Sequence, residues 1–207
     1  MTFSKEMNTT QINPFSHTIK VASPLLILLF ALQLKAEDLK LHLPDYEKEA
    51  NELRFKFEKT GQSISNRERN YPPTGQSEGV ALQTGYLSGQ ARGNSDTMLY
   101  LLALHNLSRT ALPKLNESER LVTVSKLLEL YANTVYHCTI RISYIDDTLP
   151  ELNDDEELLK KSQEYKKLLV ELHRMYTPMV KELLKYPRSR ESLTAPMNEF
   201  LDLLTED

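Results

Sequence analysis

Behind Asn116 the chain sets Leu121, Val124, Leu128, Tyr131, Val135, Cys138, Ile142 and Ile145 at alternating steps of three and four, an apolar stripe of 25 residues without a break. That period belongs to one face of a helix, and a helix so long must be covered along its whole length. Its start is marked by Asn116 with Glu119 three residues on, the capping-box pattern, and by Glu117 and Glu119 at the positive end of the helix dipole. Asp146, Asp147 and Pro150 stop it. A competing period-two alternation, Tyr136, Cys138, Ile140, Ile142 and Tyr144, covers only nine residues. The longer pattern predicts a helix from Glu117 to Ile145.

Other segments supply partners for it. Leu43, Tyr46, Ala50, Leu53 and Phe57 form an amphipathic stripe that Gly61 is expected to end, followed by an exposed loop at about 62–79 that holds Asn70, Pro72, Pro73 and Gly75. Residues 80–93 read as a weak helix, because Gly85, Gly89 and Gly93 each cost about 1 kcal/mol relative to Ala inside one. If helical, their four-residue spacing would form a groove for a neighbouring helix. Asn94, Ser95 or Asp96 would cap the next helix, which carries Met98, Leu99, Leu101, Leu102, Leu104 and Leu107 and must end at Pro113. Apolar nearly all round, it belongs in the middle of a bundle or buries one face against another molecule. A last long helix starts after Asn153 or Asp154, carries Leu158, Tyr165, Leu172 and Met179 along one line, and contains Pro178, where a kink near Arg174 is expected. A short amphipathic tail, Leu193 to Leu204, is left to dock on the bundle.

The N-terminal part has a different character. Val21 to Leu34 is an uncharged apolar run of fourteen residues after Lys20. It is too short for a spanning helix, which needs about 20 residues, and of the right length for a secretory signal. Leu34-Lys35-Ala36 offers a cleavage site between Ala36 and Glu37, so residues 1–36 read as a signal peptide and residues 37–207 as one domain. An uncleaved anchor is the competing reading. Cleavage would leave 171 residues with 22 basic and 28 acidic side chains, a net charge of −6. Nucleic acid and anionic membranes are then unsuitable partners, since both are bound through concentrated Lys and Arg. Cys138 is the single cysteine, so no intramolecular disulfide can form and the domain must stand on its hydrophobic core.

Signals for chemistry are sparse. His42, His105, His137 and His173 are isolated, with no His or Cys at the helical spacing of a metal pair, so neither a metal nor another cofactor is expected. His137 beside Cys138 is no catalytic pair, because adjacent helical residues point in different directions. The acids at 146–147 and 154–157 lack the alternating oxygens and central Gly of a calcium loop. No phosphate-binding loop, nucleophile elbow or dinucleotide fingerprint occurs, and an enzyme is not expected. Asn106-Leu107-Ser108 and Asn116-Glu117-Ser118 match the glycosylation pattern, making Asn106 and Asn116 candidate acceptors.

The pattern as a whole predicts an all-α, up-and-down bundle of four or five helices without intramolecular disulfides, secreted and extracellular. Its expected role is non-enzymatic protein–protein binding, as a signalling ligand or effector that presents a helical face to a receptor or other partner protein. The alternative is an extracellular carrier of small apolar ligands, with Tyr131, Tyr165, Met175, Tyr176 and Met179 lining a cavity between helices. After signal cleavage no membrane attachment is expected.

Overall fold

The structure, a computed structural model, describes residues 41, 43–70, 78–152 and 155–206. Among them are five α-helices and no strand: α1 (Glu47–Asn70), α2 (Glu78–Ala111), α3 (Glu117–Thr148), α4 (Glu156–Leu184) and α5 (Ala195–Thr205). Short 3-10 turns, Leu112–Lys114 and Leu149–Leu152, follow α2 and α3. The all-α bundle is therefore the fold of the domain.

α3 forms as its stripe and its start signal require. The Asn116 side chain accepts from the Glu119 N–H at 3.0 Å and the Glu119 carboxylate accepts from the Asn116 N–H at 3.2 Å, which satisfies two of the free donors of the first turn. Val124, Leu128, Tyr131, Val135, Cys138 and Ile145 are buried, whereas Ile140 and Tyr144 of the period-two alternation are exposed. α4 pairs with α3 as an antiparallel hairpin, with Asp155 rather than Asn153 or Asp154 as its cap, accepting from the Leu158 N–H at 2.9 Å. Leu158, Tyr165, Leu172 and Met179 line its inner face, and the helix runs through Pro178 to Leu184.

α1 and α2 form the second hairpin, and here the structure corrects two expectations and decides a third point that the sequence left open. α1 does not end at Gly61 but runs to Asn70, so the loop placed at 62–79 shrinks to the connection between Asn70 and Glu78. Gly61 serves packing instead of termination: a Cβ there would meet Arg92 Cγ at 3.2 Å and Ala91 Cβ at 3.3 Å, so its bare backbone is what lets α2 approach. Ile64 then continues the buried stripe from Leu53 and Phe57.

Secondly, the two segments at 80–93 and 98–112 are one helix, and Asn94 and Ser95 are buried inside it instead of capping it. Thirdly, Gly85, Gly89 and Gly93 form no groove for a neighbour, since a Cβ at any of them would meet nothing within 4 Å. They lie on the outer side and cost only propensity. Burial of Leu87, Ala91, Met98, Leu101 and Leu102 on the opposite face carries the helix across them.

The hairpins meet through aromatic contacts of α1, and of Tyr46 just before it, with α4. Tyr46 packs edge-on against Tyr176 at 5.9 Å, and Phe57 against Tyr165 at 5.9 Å. α5 closes over α3, where Phe200 meets Tyr136 edge-on at 5.2 Å and Met197 and Leu201 are buried. Arg190 holds the preceding turn by donating to the Asn198 side chain at 2.9 Å, the Asn198 carbonyl at 2.7 Å and Asp202 at 2.8 Å.

Candidate functional site

Tyr131, Tyr165 and Tyr176 are fully buried, and their rings fill the space between the helices. Tyr131 stacks on Tyr176 at 5.0 Å, while His105 of α2 sits edge-on to Tyr46 at 4.4 Å. His105 is fully buried and its tautomer follows from its partners: Nε2 lies 2.8 Å from the Pro44 carbonyl, which only accepts, so Nε2 carries the proton. Nδ1 then accepts from the Tyr131 hydroxyl at 2.7 Å. Burial lowers the pKa of His105 and raises those of Tyr131, Tyr165 and Tyr176, so these groups are held neutral. A buried, neutral, hydrogen-bonded histidine without an open face is a structural link between α2, α3 and the entry to α1.

Met175 is half-buried and Met179 is buried, and both also border open space. With Pro44, Leu53, Val170 and Pro178 they line a surface groove of about 640 Å3 between α1 and α4, bridged by Lys56 donating to Glu171 at 2.8 Å. The five residues expected to share one cavity are thus divided between a filled aromatic core and an open groove. Core packing explains the difference, since three tyrosines on facing helices consume the volume that a ligand would need.

Cys138 is free and buried, and its thiol is pushed up to about 12 by burial, which leaves it protonated and unreactive. Among the described residues no group of three or more His, Cys, Asp or Glu is placed to hold a metal, and no helix is long and apolar enough to cross a membrane. Asn106 lies within α2, where its amide donates to Glu47 at 3.3 Å and Ser108 of its sequon is buried. Asn116 is exposed, and it caps α3 through Oδ1. A sugar on its Nδ2 would leave that oxygen free to accept. Ala36 and Glu37, the expected cleavage site, lie outside the described residues.

The face that the sequence did not single out is the outer side of α2. Leu99, Tyr100 and Leu107 are 52%, 56% and 67% exposed, with Ala103 exposed between them. The inner side of the same helix buries Gln83, Thr84, Ser88, Asn94, Ser95, His105 and Ser108. This helix buries an unusual number of polar groups beside Leu87, Met98 and Leu101, and leaves large apolar side chains outside. Asn94 is satisfied at both ends, donating to the Tyr165 hydroxyl at 2.9 Å and accepting from Arg141 at 2.5 Å. The sequence signal was present, in a helix apolar nearly all round, but periodicity alone could not say which leucines faced out.

No family model, curated protein or solved structure matches the chain.

Proposed function

We propose that residues 1–36 are removed on export and that the remaining domain is an extracellular, non-enzymatic binding protein, a helical ligand or effector that docks a partner protein. The observation that supports this is the outer face of α2. Leu99, Tyr100, Ala103 and Leu107 follow the steps of a helical face, as a surface built to be covered would. Fully burying one Leu releases about 1.5–3 kcal/mol, so two leucines and a tyrosine in the centre of an interface would supply a large share of its affinity.

A second reading has its own observation. The α1–α4 groove, with Met175, Met179 and Pro178 along it, has the size of a small-molecule site and the adaptable lining that methionine provides. In this reading the protein carries a small apolar ligand.

Intact mass of the protein recovered from the medium of secreting cells, native and then denatured and deglycosylated, tests both readings. A chain beginning at Glu37 without bound small molecule, which also binds cell surfaces saturably, is the expected result. Mass lost on denaturation would favour the carrier, and retention on cells with the leader intact would overturn secretion.

A further inference from the structure

Between the middle of α2 and the second half of α3 lies a cleft of about 200 Å3, lined by Asn94, Thr97, Tyr100, Asn133, His137 and Arg141 among others. Its lining contains no Asp or Glu, in a chain whose net charge is −4. Arg141 is half-buried, and its one hydrogen bond among the described residues is from Nη1 to Asn94 Oδ1 at 2.5 Å. That acceptor cannot rotate away, because Asn94 is buried and its amide is committed to the Tyr165 hydroxyl at 2.9 Å.

The guanidinium is therefore fixed from below, with four of its five N–H groups left over and no carboxylate paired with it among the described residues. By contrast Arg54, Arg109, Arg188 and Arg190 each pair with an acid. A shielded cation without a counter-ion, held in one orientation, is what bidentate recognition of an oxyanion needs. The side chains of His137, Asn133 and Thr97 add donors at the same cleft, and none of these side chains makes a hydrogen bond among the described residues. Burial and the nearby Arg141 charge lower the pKa of His137, so its ring is a neutral donor that would gain from an added negative charge.

We propose that this cleft binds a small oxyanion, a phosphate or a carboxylate group, gripped by the Arg141 fork with support from His137 and Asn133. The volume holds about seven water molecules' worth of space, enough for inorganic phosphate or a short carboxylate and too little for a nucleotide. Leu101, Leu130 and the buried Cys138 provide an apolar wall on which a short aliphatic tail can rest. The site is separate from the α1–α4 groove and does not depend on the partner-binding reading.

The test is titration of the purified protein with sodium phosphate and, separately, sodium butyrate, each against sodium chloride at equal ionic strength. It is read by the His137 ring resonances and by thermal melting. At least one of the two anions should shift those resonances saturably and, at roughly ten times its dissociation constant, raise the melting temperature by about 3–5 °C. Response to phosphate alone would assign the site to phosphate, and response to butyrate alone to a carboxylate with a tail. Arg141→Gln should abolish the response, Asn133→Ala should weaken it several-fold, and Lys126→Ala, an exposed change outside the cleft, should leave it intact. If Arg141→Gln does not fold, Asn133→Ala and His137→Gln carry the comparison by melting. Responses equal to chloride, responses that never saturate, or equal responses in all variants would overturn the proposal.

Discussion

The two hairpins are sealed by different chemistry. Where α3 meets α4, large side chains fill the seam: Leu128, Tyr131, Val135, Leu169, Leu172 and Tyr176 are buried there, with Tyr131 stacked on Tyr176 at 5.0 Å. Where α1 meets α2 the chains touch through Gly61, Ala91 and Ser88, and the Ser65 and Ser88 hydroxyls bond across at 2.7 Å. Small residues bring backbones close but remove little apolar area from water, and area is what stabilises. The contrast teaches where the fold's stability resides, in α3, α4 and the α1 face that meets them, and what α2 is left free to do. A helix held by a close backbone approach, polar links and the buried Leu87, Met98 and Leu101 can still keep Leu99 and Leu107 outside.

The largest effect that would break this comparison is on the large-residue seam. Tyr131→Ala removes a fully buried ring and the donor to His105, and should cost about 3–5 kcal/mol in urea unfolding. Ser88→Ala on the other seam should cost only about 1 kcal/mol by the same measurement. Equal costs would mean that the seams share the load.

Filling the close approach tests whether Gly61 is there for space. Gly61→Val must push Arg92 and Ala91 away and should destabilise by about 1–3 kcal/mol, with hydrogen exchange rising first along α2. A neutral result would show the α1–α2 seam to be loose rather than tight.

Acid should act on the link between α2 and α3. Burial holds the folded pKa of His105 below its ordinary 6.5, so above that pH the ring is neutral whether the chain is folded or not. As pH falls below about 6.5 the unfolded chain takes up the proton first, and stability drops until the lowered folded pKa is reached. His137 and His173 are lowered too, so the clean measurement is the difference in the pH dependence of melting between the wild type and His105→Gln, with a flatter profile expected for the variant.

The smallest effects concern single helix positions. Gly89→Ala meets open space and should stabilise by about 1 kcal/mol, opposite in sign to Gly61→Val. Asn116→Ala should cost about 1 kcal/mol by removing the cap of α3.

Much of the fold was legible because α3 and α4 obey local rules along their whole length. Asn116 and Glu119 announced the start of α3, and its stripe from Leu121 to Ile145 was long enough to overrule the strand pattern. The α1–α2 hairpin was less legible because its residues take their roles from tertiary contact. Gly61 carries the same local signal whether it ends a helix or admits a neighbour, and only Ala91 and Arg92 across the seam decide between them. Asn94 has the chemistry of a cap, yet Tyr165 and Arg141, 71 and 47 residues away, make it a buried polar link. At the site, Met175 and Met179 do face a concavity, while the tyrosines read with them are the core that closes it. Leu99 and Leu107 were visible as apolar residues, but their exposure depends on how α2 is rolled against three other helices.

The central claim is that the outer face of α2 meets a partner protein, and the most direct test is saturable binding to receptor-bearing cells by the wild type and by a Leu99→Asp, Leu107→Asp double variant. Both leucines are exposed, so the variant should melt within about 0.5 kcal/mol of the wild type. The account predicts saturable wild-type binding that the variant loses at least a hundredfold. Binding equal to wild type in a folded variant, or no saturable binding by the wild type, would contradict it.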